Sequence, residues 1–221
     1  MKIAVLTSSR ADFGIYLPLL QQLQSDDFFQ LEIIAFGTHL STEHGYTINE
    51  IKNFNFGVIH EIVTPLHNSS PLDITKNIGE TISIFADFWA LNKFDYIIAL
   101  GDRYEMFAAV TATTPFVCKV AHLHAGETTL GAIDNVYRHA ISLMSDLLFV
   151  STDIYKEKAM QINADAQTFN VGALSVENLK KINYLNLEEF KSRFNIDLSL
   201  PTILCTFHPE TVNLEKNIIY I

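Results

Sequence analysis

The chain has 221 residues, enough for one good core and the beginning of a second domain. With 48% hydrophobic and 18% charged residues it reads as a soluble globular protein, and a formal net charge of -10 without any Lys/Arg-rich run excludes a nucleic-acid partner. The apolar run Ile3 to Leu6 is too short for a signal-peptide core, no run approaches the ~20 residues that span a bilayer, and Cys118 and Cys205 sit in apolar, strand-like stretches, so the expectation is a cytoplasmic protein with neither membrane anchor nor disulfide framework.

Lys2 to Thr7 reads as a buried strand, followed by a polar turn from Ser8 to Gly14 and a helix over Ile15 to Gln24, where Leu19, Leu20 and Leu23 follow helical spacing. This opens a Rossmann-like unit, yet the turn holds neither Gly-x-Gly-x-x-Gly nor a P-loop. Phe29 to Phe36 is the second strand, Thr47 to Phe54 a short helix, Val58 to Val63 the third strand and Thr64 to Pro71 a loop. From Leu72 to Leu91 the residues Ile74, Ile78, Ile82, Phe85 and Trp89 recur at helical intervals, which predicts a long amphipathic helix whose stripe faces the core or a subunit interface. A strand over Asp95 to Leu100, a helix from Met106 to Thr113, a strand over Phe116 to Leu123 and a helix from Asp134 to Met144 follow. Leu147 to Val150 is a strand, Ser151 to Asp153 offers caps for a helix over Ile154 to Ile162, and Thr168 to Val171 is a last short strand. Such alternation predicts a doubly wound, mostly parallel α/β sheet with right-handed crossovers.

After Ser175 the pattern changes to helical pieces at Val176 to Ile182 and Leu187 to Phe194 and a single strand from Pro201 to Phe207. One strand cannot build a second sheet, so the expected division is a Rossmann-like domain over residues 1–174 and, over 175–221, a C-terminal domain that is only begun.

The chemistry concentrates between Asp95 and His139. Two apolar runs end there in charged groups, and in open α/β sheets the carboxyl ends of the strands are where ligands bind. Asp102, Glu127 and Asp134 can therefore converge with Arg103, Arg138, His122, His124 and His139, a set in which each group shifts its neighbour's pKa toward neutrality and so suits proton transfer. His122 and His124, two apart on a strand, share a face and with Glu127 suggest a metal set, but a third ligand must come from elsewhere. A metallophosphoesterase reading fails because the first strand ends in Ser8-Ser9-Arg10 rather than Asp-x-His, and no metal is expected. Arg10, at the first turn, can meet an anion with help from helix-start amides, or is a surface arginine.

Ser9 to Gly14, Gly37-Thr38-His39, Gly101-Asp102-Arg103-Tyr104-Glu105, His124 to Glu127, Asp134 with Arg138-His139, Gly172 through Asn178, and His208-Pro209-Glu210-Thr211 together resemble the hydrolysing UDP-N-acetylglucosamine 2-epimerases of sialic acid biosynthesis, in order and spacing along nearly the whole chain. The resemblance implies two Rossmann-like domains of the glycosyltransferase-B type with the active site between them, of which this chain lacks the uridine-holding half. It implies a UDP-sugar substrate, a homo-oligomer, and a reaction without metal or redox cofactor, in which UDP is eliminated and water adds to the resulting glycal to give N-acetylmannosamine. By the same resemblance Asp102, Glu127 and Asp134 are the acid/base carboxylates, and Arg10 and His208 meet the diphosphate, His208 counting with the catalytic set. His39, Arg103, His124, Arg138 and His139 orient the substrate. A diacetamido UDP-sugar of a legionaminic-type pathway, or a non-catalytic remnant, stays open as the alternative.

Overall fold

A computed structural model describes residues 1–66, 70–180, 182–207 and 216–220. Among them seven strands form one sheet: β1 (Lys2–Thr7), β2 (Gln30–Ala35), β3 (Val58–Glu61), β4 (Tyr96–Leu100), β5 (Val120–Leu123), β6 (Leu147–Val150) and β7 (Gln167–Asn170). Their order is β3-β2-β1-β4-β5-β6-β7 and every pairing is parallel, so the chain winds outward from β1 in one direction, returns, and continues outward from β4 in the other. The topological switch point lies between β1 and β4, whose ends diverge into separate loops.

The central strands read as continuous apolar runs because both faces are covered. On one face α1 (Arg10–Ser25) and α2 (Ile48–Asn53) bring Phe13, Tyr16, Leu20 and Ile51 onto Val5, Ile33 and Ile98. On the other, α3 (Pro71–Leu91), α4 (Tyr104–Thr111) and α5 (Asp134–Leu143) bring Phe85, Trp89, Met106, Val110 and Ile141 onto Leu6, Ile34, Ile97 and Val120. Trp89 is 2% exposed and its indole N–H donates to the Ala109 carbonyl at 3.2 Å, so it is spent inside the monomer core and is not free for a subunit interface. A smaller cluster of Ala125, Leu148, Val150 and Ala159 seats α6 (Asp153–Ile162).

Three expectations are corrected. The first helix begins at Arg10, because Ser9 and Asp12 form a capping box that closes the first turn. The fifth strand begins at Val120: Thr114 to Phe116 form a 3-10 turn around Pro115, and Val117 takes left-handed backbone at φ 53° and is 87% exposed. Pro201 to Phe207 forms no strand, since no described strand lies alongside it, and Ile203 and Leu204 are exposed. Neither cysteine therefore lies in a strand, Cys118 being half-buried and Cys205 exposed.

After β7 come α7 (Leu174–Lys180), α8 (Leu187–Phe194) and a closing turn, α9 (Asn217–Tyr220). Helix α7 packs back on α1, where Pro18 stands inside the helix and cannot donate to the carbonyl of Gly14. The Asn178 side chain donates to that carbonyl at 2.7 Å, replacing the bond the proline removes.

Candidate active site

Loops leaving β1, β4 and β5 meet at the carboxyl edge of the sheet. The first is Ser8–Asp12, held by the buried Asp12 carboxylate, which accepts from the Ser8 amide at 3.0 Å, the Ser8 hydroxyl at 2.8 Å and the Ser9 amide at 3.1 Å. The second turns at Gly101, whose φ of 78° is open to glycine at no steric cost, and delivers Asp102 and Arg103. The third leaves β5 at His124, which takes φ 61°, so the strand's alternation stops at Leu123 and His122 and His124 do not share a face. It then passes Gly126 (φ 73°), where a Cβ would stand 2.6 Å from the Tyr155 carbonyl of α6, so only glycine permits the close approach.

These loops and α5 enclose a cavity of about 310 Å³ with Asp102, Arg103, His124, Glu127 and Arg138 in its wall beside Ser9 and Asp12. Arg138 is its hub. One arm of the guanidinium binds Asp102, and the other donates to the His124 carbonyl at 3.0 Å and lies 3.5 Å from Glu127 Oε2. Glu127 Oε1 in turn accepts from His124 Nδ1 at 2.7 Å and from the Ser151 hydroxyl at 2.6 Å. Burial pushes the Glu127 carboxyl up, but these donors and the Arg138 charge more than offset it and hold its pKa below the ordinary value. Asp134, in the first turn of α5, is the opposite case: burial, then the nearby Asp102 charge, raise its pKa. The carboxyl edge thus carries two carboxyl groups whose environments shift their pKa values in opposite directions, Glu127 down and Asp134 up.

Of the residues expected from the sequence, Asp102, Glu127, Arg103, His124 and Arg138 are brought together in the cavity wall, and Asp134 stands electrostatically beside Asp102. His139, on the helix that carries Arg138, is half-buried, and its pKa is lowered by burial and then by the Lys158 charge. Arg10 is 74% exposed at the start of α1 and sits 3.4 Å from Glu50, outside the cavity wall. His39 is also not in the wall: it is fully buried between the hydroxyls of Thr7 at 2.9 Å and Thr47 at 2.8 Å, and burial lowers its pKa to about 4, which makes it a neutral structural histidine rather than a substrate contact. His208 lies outside the described residues.

Sequence reasoning missed Asp12 and Ser151. The first was findable, because Ser9-x-x-Asp12 after a strand is a capping-box signature. Ser151 was read as a possible cap, but Thr152 caps α6 and leaves Ser151 to donate to Glu127.

A parallel sheet with ionisable groups gathered at its switch point has the parts that acid/base chemistry needs. The sequence model of the UDP-N-acetylglucosamine 2-epimerase family matches residues 21–221, and the chain belongs to that family. It is 35% identical over 216 residues to the GDP/UDP-N,N'-diacetylbacillosamine 2-epimerase (hydrolyzing) of Campylobacter jejuni, covering 97% of this chain and 56% of that protein. It is 32% identical to the polysialic acid biosynthesis protein P7 of Escherichia coli, covering 97% and 55%. The crystal structure of the Neisseria meningitidis UDP-GlcNAc 2-epimerase bound to UDP-GlcNAc shares the fold, with a TM-score of 0.70 at 19% identity over 88% of this chain and 53% of that one. The chain spans about half the length of the relatives it matches.

Proposed function

We propose that the protein carrying this chain is a hydrolysing 2-epimerase acting on a UDP-linked 2-acetamido sugar. The observation that carries the reading is the Asp102–Arg138–Glu127–His124 cluster in one cavity at the switch point, with Asp134 coupled to Asp102.

In this reaction a base takes the proton from the carbon bearing the acetamido group, the anomeric C–O bond breaks with its electron pair leaving on UDP, and water adds across the double bond of the glycal. With UDP-N-acetylglucosamine the product is N-acetylmannosamine. The carbon acid is very weak, so a positioned base and acid each contribute about 10²- to 10⁴-fold. Asp134, its pKa raised by burial and then by the Asp102 charge, and Asp102, held on one arm of the Arg138 fork, are the carboxylates that take up and return the proton. Glu127, held ionised, orients His124 and Arg138. Arg103 and His139 serve orientation, and Arg10 and His208 are assigned to the diphosphate on the family resemblance of their motifs alone, since positive donors there stabilise the departing charge. Residues 1–174 form the sugar-side domain and 175–221 the start of the nucleotide-side domain. The protein works in the cytoplasm as a homo-oligomer.

The 35% identity to a diacetylbacillosamine 2-epimerase favours a diacetamido sugar at least as much as the 24% identity to the UDP-N-acetylglucosamine 2-epimerase of Neisseria meningitidis favours UDP-N-acetylglucosamine. Incubation of the full-length protein with each sugar nucleotide, following UDP release and the free 2-epimerised sugar, tests the reading. Release of UDP from one of them with a mannosamine-type product is expected, and release from neither would end the proposal.

A further inference from the structure

We infer that His122, on β5, is a positioning residue that fixes the turn bearing Asp102 by donating a hydrogen bond from Nε2 to the Gly101 carbonyl, with Ser142 of α5 fixing its tautomer. The inference rests on the reading of Asp102 as a reacting carboxylate.

His122 is fully buried in a strand whose other residues, Val120, Ala121 and Leu123, are apolar, so an unsatisfied imidazole there would be costly. Both ring nitrogens are satisfied, by groups from two other elements: Nε2 lies 2.8 Å from Gly101 O and Nδ1 lies 3.0 Å from Ser142 Oγ. A carbonyl only accepts, so Nε2 carries the hydrogen. Nδ1 is then a lone pair, and the Ser142 hydroxyl donates to it. Burial, which outweighs the Gly101 bond, lowers the pKa of the ring to about 3 and keeps this neutral arrangement at ordinary pH.

The acceptor is what gives the histidine a role in the site. Gly101 turns the chain at φ 78°, and its two peptide planes are each held. The one before it is fixed by the Gly101 amide donating to Leu123 O at 3.1 Å, and the one joining it to Asp102 is fixed by His122. The direction in which the Asp102 side chain leaves the backbone is set by that second plane. Ser142 lies one helical turn beyond Arg138 on α5, and Arg138 holds the Asp102 carboxylate. Helix α5 therefore grips Asp102 at both ends: Arg138 at the carboxylate, and Ser142 through His122 and Gly101 at the backbone.

A histidine that only fills the core predicts the same loss for any replacement; one that positions Asp102 predicts recovery when the donor is restored. Because misplacing a reacting group by ~1 Å costs about 10²-fold, His122→Leu in the full-length protein should lower kcat by about that factor with KM within about 3-fold of wild type, and His122→Gln, which can donate from nearly the same point, should recover most of the loss. In parallel, the 13C resonance of the Asp102 carboxyl should move in His122→Leu and return in His122→Gln, and the 15N spectrum of the wild type should show the Nε2–H tautomer. Should His122→Leu fail to fold, Ser142→Ala removes only the hydroxyl and should loosen the tautomer and lower kcat by about 10-fold. Turnover by the leucine variant within about 3-fold of wild type, equal damage in both replacements of His122, or an Nδ1–H tautomer would each overturn the inference. If the wild type releases no UDP from either sugar, the functional reading fails, and the Asp102 resonance still decides on His122: an unmoved signal in the leucine variant rejects it.

Discussion

The two ends of the sheet make an instructive contrast. At the amino-terminal end, Trp89, Phe94, Asp95, Tyr96 and Lys119 border a cavity of about 620 Å³, twice the size of the 310 Å³ cleft at the carboxyl end. The larger one holds few ionisable groups in contact with each other, whereas the smaller holds a guanidinium gripped by Asp102 and Glu127, with Glu127 held in turn by an imidazole and a hydroxyl. Volume does not mark the end where the ionisable groups gather. What does is the geometry of a parallel sheet, in which every strand delivers its following loop to the same edge.

The largest expected effect is on chemistry. In the full-length protein, Asp102→Asn should lower turnover by about 10²-fold or more, since asparagine keeps the shape but cannot take up a proton, while Lys119→Ala at the other end should leave turnover within about 2-fold. Steady-state UDP release measures both. A greater loss at Lys119 than at Asp102 would put the site at the wrong end.

Next comes acid sensitivity, concentrated at the carboxyl end. His39 and His122 are buried there as neutral rings with pKa values lowered to about 4 and about 3. The unfolded chain takes up their protons below pH ~6.5 and the folded chain does not, so stability is intact above that pH and falls as pH falls, by on the order of 3 kcal/mol for each ring between pH 7 and pH 4. Denaturant melts of the 221-residue chain across this range would show it. A flat profile, or one unchanged when His39 is replaced by Gln, would contradict the assignment.

Gly126→Ala comes third: left-handed backbone and the approach to the Tyr155 carbonyl should together cost about 2 kcal/mol or more, read as a lowered Tm. The smallest effect is expected at Asn178→Ala, away from both cavities, where leaving the Gly14 carbonyl beside Pro18 without its donor should cost about 1 kcal/mol. An unchanged Tm in Asn178→Ala would mean water replaces the amide, and that α7 is held on α1 by its apolar contacts alone.

Chain order and burial pattern carried most of the fold. Runs such as Ile3 to Leu6 and Ile97 to Leu100 are apolar at successive positions because a central parallel strand is covered on both faces, and that pattern survives in one dimension. Asp102, Glu127 and Arg138 were legible for a related reason: each stands at or just beyond a strand end or on the helix that follows, where topology leaves no other edge for them. The start of α1 and the beginning of β5 were misread through local chemistry that was present, the Ser9–Asp12 capping box and Pro115.

Other features had no local sign. Pro201 to Phe207 has a strand's composition, but a strand exists only when another backbone takes its hydrogen bonds, and no described residues do so. His39 and His122 look like site residues by type, yet the hydroxyls of Thr7, Thr47 and Ser142 and the carbonyl of Gly101 close around them from distant parts of the chain. The sequence by itself determined which way the sheet is wound and which loops share its carboxyl edge, because periodicity and strand order are properties of the chain. Which of those polar groups face the cleft, which are sealed in the core, and which carboxylate stays ionised were decided only in the tertiary structure, since burial and the choice of hydrogen-bond partner depend on what arrives from elsewhere in the fold.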